Sequence, residues 1–149
     1  YNDTIAPVTE CGFITNEKWG FTIGYSPDGL VGDDGLIECK SRRQKYQAQT
    51  ILDHVATGGT TIPTEYILQH QTGLMVSERK WIDFISYCGW MPMCVIRVHP
   101  DDVIQAAIKE AAEEFEVALQ SAIRVYRETV ATAPLLFETE RKDHEEMIL

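Results

Sequence analysis

A chain of 149 residues with 44% hydrophobic content is the size of one ordinary domain and has enough apolar material for a real core. Its net charge of −10 argues against a surface that coats nucleic acid broadly, because backbone binding runs on Lys and Arg, but it leaves room for a narrow basic channel. No apolar run reaches bilayer-crossing length and no export signal opens the chain, so a soluble cytoplasmic protein with no membrane partner is expected. Tyr1 reads as an internal starting point, with residues missing upstream.

Residues 11–26 read as two strands around a turn at Asn16-Glu17-Lys18, with Trp19, Phe21, Ile23 and Tyr25 alternating with small or polar residues. After the break at Pro27-Asp28-Gly29 a second hairpin is expected, "LV" and "LIECKS", closed at Asp34-Gly35. Residues 44–56 carry helical spacing, with Tyr46, Ile51, Leu52 and Val55 toward one side, and "TGGTT" ends it. Pro63 suits the first turn of a second helix running through "TEYILQHQTGLMVS".

The segments "KWIDFISYC" and "MCVIRVHP" predict a strand pair beside the first sheet, with Trp81, Phe84 and Tyr87 read as sheet core. The last element is a long amphipathic helix capped by Asp101 or Asp102. Its stripe of Ile104, Ile108, Ala111, Phe115, Leu119, Ala122 and Tyr126 is either core or a subunit interface. Residues 134–149 form a charged tail, mobile or ordered by a partner. The order of elements predicts a mixed α/β domain over residues 1–133, one sheet flanked by helices. Cys11, Cys39, Cys88 and Cys94 match no common zinc or redox spacing, and the strand-like contexts of Cys39 and Cys88 predict buried thiols in a reducing compartment.

Chemistry concentrates in residues 25–41, "YSPDGLVGDDGLIECKS". On a strand, Leu36, Glu38 and Lys40 share one face, while Ile37 and Cys39 point to the other, apolar one. A half-buried carboxylate and ammonium need pairing or a metal. The Asp34-Gly35 turn could fold Asp28 back beside Glu38, and two carboxylates, a carbonyl and waters suit Mg²⁺. A lysine beside such a cation suits work on an attacking water. The alternative is a solvated turn at Asp33 and Asp34 followed by a surface ion pair worth little.

The stretch "SPDGLVGDDGLIECKS", followed by "YILQHQTGLMVSERKWIDFISY", resembles the PD-(D/E)XK nuclease superfamily, and more closely the phage lambda exonuclease and YqaJ-type viral recombinase family, over residues 12–98. The resemblance implies a restriction-endonuclease-like core with a central mixed sheet flanked by helices. It implies that Asp28, Glu38 and the backbone carbonyl of Cys39 ligate Mg²⁺, with Mn²⁺ as a substitute, and that Lys40 positions the attacking water. Gln69 matches the glutamine near the water or scissile phosphate, and Gln71 the second glutamine, assigned to DNA. The implied reaction is 5′ to 3′ hydrolysis of duplex DNA ends for recombination, in a bacterium or phage-infected cell. A single-strand annealing recombinase is the implied partner and a ring trimer the implied assembly. Family members also carry an upstream helical region with a further glutamate and basic residues gripping the 5′ phosphate, which residues 1–149 do not supply; Glu10 and Glu17 stand in the wrong context for that role.

The basic run at Arg42, Arg43 and Lys45 is either a DNA phosphate contact or a solvated helix start. His54, His70, His99 and His144 form no ligand pattern, and His70 reads as a helix-face residue. An iron-sulfur exonuclease would need a close group of three cysteines near the C-terminus, and Cys88 and Cys94 are two. The competing functions are a non-catalytic DNA-binding or recombination-partner module on the same fold, or a related endonuclease.

Overall fold

The computed structural model describes residues 1–56, 58–137 and 139. The expected tail at 134–149 therefore lies largely outside the described residues. The chain divides into two compact units, Tyr1–Glu113 and Glu114–Leu149. No helix among the described residues is long and apolar enough to cross a membrane.

A four-stranded sheet in the order β3-β4-β5-β6 organises the first unit. Strands β3 (Gly29–Val31) and β4 (Gly35–Ser41) form the expected hairpin, with Gly29 opposite Ile37 and Val31 opposite Gly35. Its turn lies at residues 32–34 and not at the expected Asp34-Gly35, because Gly35 already opens β4; Gly32 takes a φ of +53°, which a residue with a side chain adopts less readily, and Asp34 pairs with Lys80 at 2.9 Å. Strand β5 (Trp81–Tyr87) lies parallel to β4, and β6 (Cys94–Val98) antiparallel to β5. The later strand pair therefore extends the same sheet instead of packing beside it. The first hairpin is the element that stands apart: β1 (Ile14–Asn16) and β2 (Ile23–Tyr25) make a separate two-stranded sheet, with a connection longer than the three-residue turn expected.

Helix α2 (Ile67–Ser77) follows a 3₁₀ turn at Thr64–Tyr66, as Pro63 led one to expect, and stops where Glu78 adopts a left-handed φ of +57°. Leu74 and Val76 pack with Tyr25, Leu36 and Ile82 on one face of the sheet. Val31, Ile37 and Ile85 form the other face, covered in part by Tyr1, Ala6 and Val8. Both faces of β4 are thus buried near its start. Further along, Glu38 remains buried but Cys39 is exposed, so the expected buried thiol at Cys39 is corrected; Cys88 and Cys94 are the buried ones. Phe84 is core, with Ile62 and Ile96, whereas Tyr87 is exposed, because β5 runs past the cover at its end.

Helix α1 (Gln44–Thr50) continues as a π-helical turn, Ile51–Val55. Its inward side is not the apolar one expected. Tyr46, Leu52 and Val55 are exposed, and the buried residues are Gln47 and Thr50. The reason is that α1 faces backbone left free by the loop after β5: Gln47 Nε2 donates to Ser86 O at 3.1 Å and Pro92 O at 2.7 Å, and Ser86 Oγ donates to Gln47 Oε1 at 2.5 Å. A Leu there would leave those groups unpaired. Helix α3 (Asp102–Thr132) is capped by Asp101, whose Oδ1 accepts from the amides of Val103 and Ile104 at 3.0 Å each. None of its residues is buried, and Phe115 and Tyr126 are two-thirds exposed.

Candidate active site

Three groups converge on the Glu38 carboxylate, on the face of β4 that α2 covers. Lys40, two residues along the strand, donates to Oε1 at 2.7 Å. Gln69, on the first turn of α2, donates to the same oxygen at 2.6 Å. Tyr25, at the end of β2, donates to Oε2. Glu38 is only 4% exposed, and a charge so placed is tolerable because three donors pair its two oxygens. Burial, then the Glu38 carboxylate, hold the Tyr25 phenol well above its ordinary pKa, so the hydroxyl keeps its proton and acts as a donor.

Asp28 approaches from the neighbouring strand. Asp28 stands one residue before β3, whose pairing begins with Gly29 opposite Ile37. The Asp28 amide donates to Ile37 O at 3.2 Å, and Asp28 Oδ2 accepts from the Cys39 amide at 2.6 Å. The Asp28 carboxylate is thus held by the main-chain N–H of Cys39, the residue after Glu38. Partial burial first, and then Asp28 and Glu38, push the Cys39 thiol up, so it is a weak nucleophile despite its exposed position.

These residues fit a hard divalent cation. An ionised carboxylate offers about four lone-pair positions. Glu38 uses three and Asp28, which faces solvent, uses one. Each therefore keeps an acceptor position for a cation. Among the described residues no three His, Cys, Asp or Glu side chains cluster as a metal site, so the side-chain donors would number two, which suits an ion that retains much of its water.

The remaining sequence-derived residues separate. Gln71, two positions after Gln69, lies away from this group: it is buried, its Nε2 donates to His99 O at 2.9 Å, and its Oε1 accepts from the Asp101 amide at 2.9 Å. That is a brace between α2 and the cap of α3, at a buried position and not on an open surface where the expected DNA contact would lie. Arg42 is also committed internally. It donates to the Tyr66 hydroxyl and stacks on the rings of Tyr46 and Tyr66, at 5.3 and 5.1 Å, with Glu65 3.4 Å away. Arg43 and Lys45 are exposed beside it. His70 is wholly buried on the inner face of α2; its Nδ1 faces Tyr66 O at 2.8 Å and its ring is 5.6 Å from Phe84.

Tyr25 is the site residue that sequence reasoning missed. A signal existed: a tyrosine alternating with core positions brings a hydroxyl into the interior, where it needs a partner.

No protein-family model and no curated protein matches the chain. Among solved structures it is similar to an alkaline exonuclease (LHK-Exo) from Laribacter hongkongensis, with 34% identity and a TM-score of 0.71 over 83% of this chain. The fold is restriction-endonuclease-like. A structure of LHK-Exo in complex with dAMP matches with a TM-score of 0.70 at the same identity and coverage. The restriction-endonuclease-like core described by this chain spans 62% of the length of that exonuclease.

Proposed function

We propose that this chain carries the catalytic core of a Mg²⁺-dependent DNA exonuclease that hydrolyses phosphodiester bonds at duplex ends. The observation that carries the reading is the meeting of Lys40 and Gln69 on Glu38, with the Asp28 carboxylate held by the amide of Cys39, the residue between Glu38 and Lys40. The likeness to an alkaline exonuclease supports it, and the dAMP held by that protein is of the product class such an enzyme releases.

Asp28 and Glu38 would hold Mg²⁺, which when bound supplies positive charge at the phosphate and acidifies a coordinated water. The Lys40 ammonium, a donor without an acceptor, orients a water or phosphate oxygen. Gln69 Nε2 keeps one hydrogen beyond the one given to Glu38, available to a second oxygen at the same place. Arg43 and Lys45 are the exposed cations next to β4 and serve the DNA backbone. The 5′ to 3′ polarity, the assignment to the phage lambda and YqaJ-type family, and the role in recombination rest on the resemblance of "YILQHQ" and "SPDGL".

The test is incubation of linear and covalently closed duplex DNA with the full chain and Mg²⁺. Loss of linear DNA alone, absent in Asp28→Ala and Lys40→Ala, is expected, with a label at the 5′ end released first. Equal loss of both substrates would make the protein an endonuclease. No Mg²⁺-dependent loss of either would leave a binding module.

A further inference from the structure

We propose that Tyr25 is a positioning residue for the Glu38 carboxylate and that Gly73 is the seat in α2 that lets it reach. This rests on the reading of Glu38 as a metal ligand and adds the group that orients it. Tyr25 belongs to the small sheet, outside the four strands that carry the site. Its ring lies so close to α2 that a Cβ on Gly73 would stand 2.6 and 2.7 Å from two ring carbons, nearer than such contacts occur. Glycine weakens a helix interior, and this close approach is the reason one stands here.

Gly73 is four residues after Gln69, one turn along the same face of α2. A single helix face therefore delivers the Gln69 amide to Oε1 and makes room for the Tyr25 hydroxyl at Oε2. A free glutamate rotates broadly about its last torsion. Holding its two oxygens from two directions stops that rotation and leaves one acceptor position aimed by the protein. Ligating carboxylates so braced bind metal more tightly. Packing explains the ring, which sits with Leu36, Leu74, Val76 and Ile82, but phenylalanine would fill that space equally well. The hydroxyl is what packing leaves unexplained.

The experiment measures Mn²⁺ binding to the DNA-free full chain by the electron paramagnetic resonance of free Mn²⁺, with melting curves alongside. Tyr25→Phe is expected to weaken binding about tenfold. Gly73→Ala, which keeps the hydroxyl but displaces the ring, should weaken it too, and the double variant should be no weaker than Tyr25→Phe, because both act through one hydrogen bond. Should one variant fail to melt cooperatively, the other carries the test. Wild-type affinity in Tyr25→Phe, with binding lost in Glu38→Gln, overturns the positioning role alone. Effects that multiply in the double variant overturn the seat. Undiminished binding in Glu38→Gln would remove the metal reading itself, and this proposal with it.

Discussion

Lys40 Nζ stands 2.7 Å from Glu38 Oε1, in an ion pair whose carboxylate is 6% and whose ammonium is 20% exposed. Two roles of the lysine can be separated on that basis. As the group that orients the attacking water it raises the rate, and as a cation beside a metal ligand it opposes metal binding. Lys40→Met should reduce hydrolysis by about 10²-fold or more, while calorimetric titration with Mn²⁺ shows tighter binding than wild type. Weaker binding would mean that the lysine is needed to shape the site rather than to act in it.

Arg42 and Arg43 are adjacent in sequence but differ in surroundings. The Arg42 side chain is 9% exposed and clamped by Tyr46 and Tyr66, while Arg43 is exposed. Arg43→Ala with Lys45→Ala is expected to weaken duplex binding and to lower the slope of log affinity against log salt by about two, one per lost phosphate contact. Arg42→Ala should instead lower the melting temperature. Fluorescence anisotropy at several salt concentrations, with melting curves, distinguishes them; an unchanged slope in the double variant would remove the phosphate role.

Gln47, fully buried, pairs three hydrogen-bonding groups. Gln47→Leu leaves the Ser86 hydroxyl and the Ser86 and Pro92 carbonyls without their partner. At about 1–3 kcal/mol for each buried group stranded, the loss should exceed 2 kcal/mol in urea unfolding. A loss below 0.5 kcal/mol, roughly the effect of an ordinary surface change, would show that water replaces the amide.

His70 predicts an acid limit to stability. Its Nδ1 lies against the Tyr66 carbonyl, which only accepts, so the hydrogen is on Nδ1 and the buried Nε2 has no donor. Burial lowers its pKa from 6.5 in the folded protein. The unfolded chain then binds the proton first, so this contribution is complete above pH 6.5 and is lost as pH falls through the folded value. The melting temperature of the wild type should drop from pH 7 toward pH 5 more steeply than that of His70→Asn, which has no imidazole to protonate. Parallel profiles would show that other groups carry the acid response.

Asp28, Glu38 and Lys40 were legible because their relations are local: a strand alternates, and a short hairpin returns Asp28 to the amide of Cys39, beside Glu38. The same locality made the start after Pro63 and the Asp101 cap readable, each from one or two residues, whereas the hairpin turn fell at residues 32–34 and not at the expected Asp34-Gly35. Misreadings arose wherever a pattern tells which way a side chain points without telling what covers it. Tyr46, Leu52 and Val55 had the spacing of a buried face, yet the cover over α1 offers polar backbone and selects Gln47. Cys39 alternates correctly with Ile37, but the cover from residues 1–8 reaches Ile37 and leaves Cys39 outside.

By itself, then, the sequence determined the strand that bears Glu38 and Lys40, the hairpin that returns Asp28 to that strand, and the helix that carries Gln69. Only the tertiary structure decided that β4 and β5 pair in parallel with α2 laid across them, which takes Gln69 to Glu38 and turns Gln71 into a brace. It alone brought Tyr25, from a different sheet, onto Gly73 and thence to Glu38. The physical reason is that backbone periodicity is set within a few residues, whereas contacts between distant segments are chosen by which buried donors and acceptors satisfy one another.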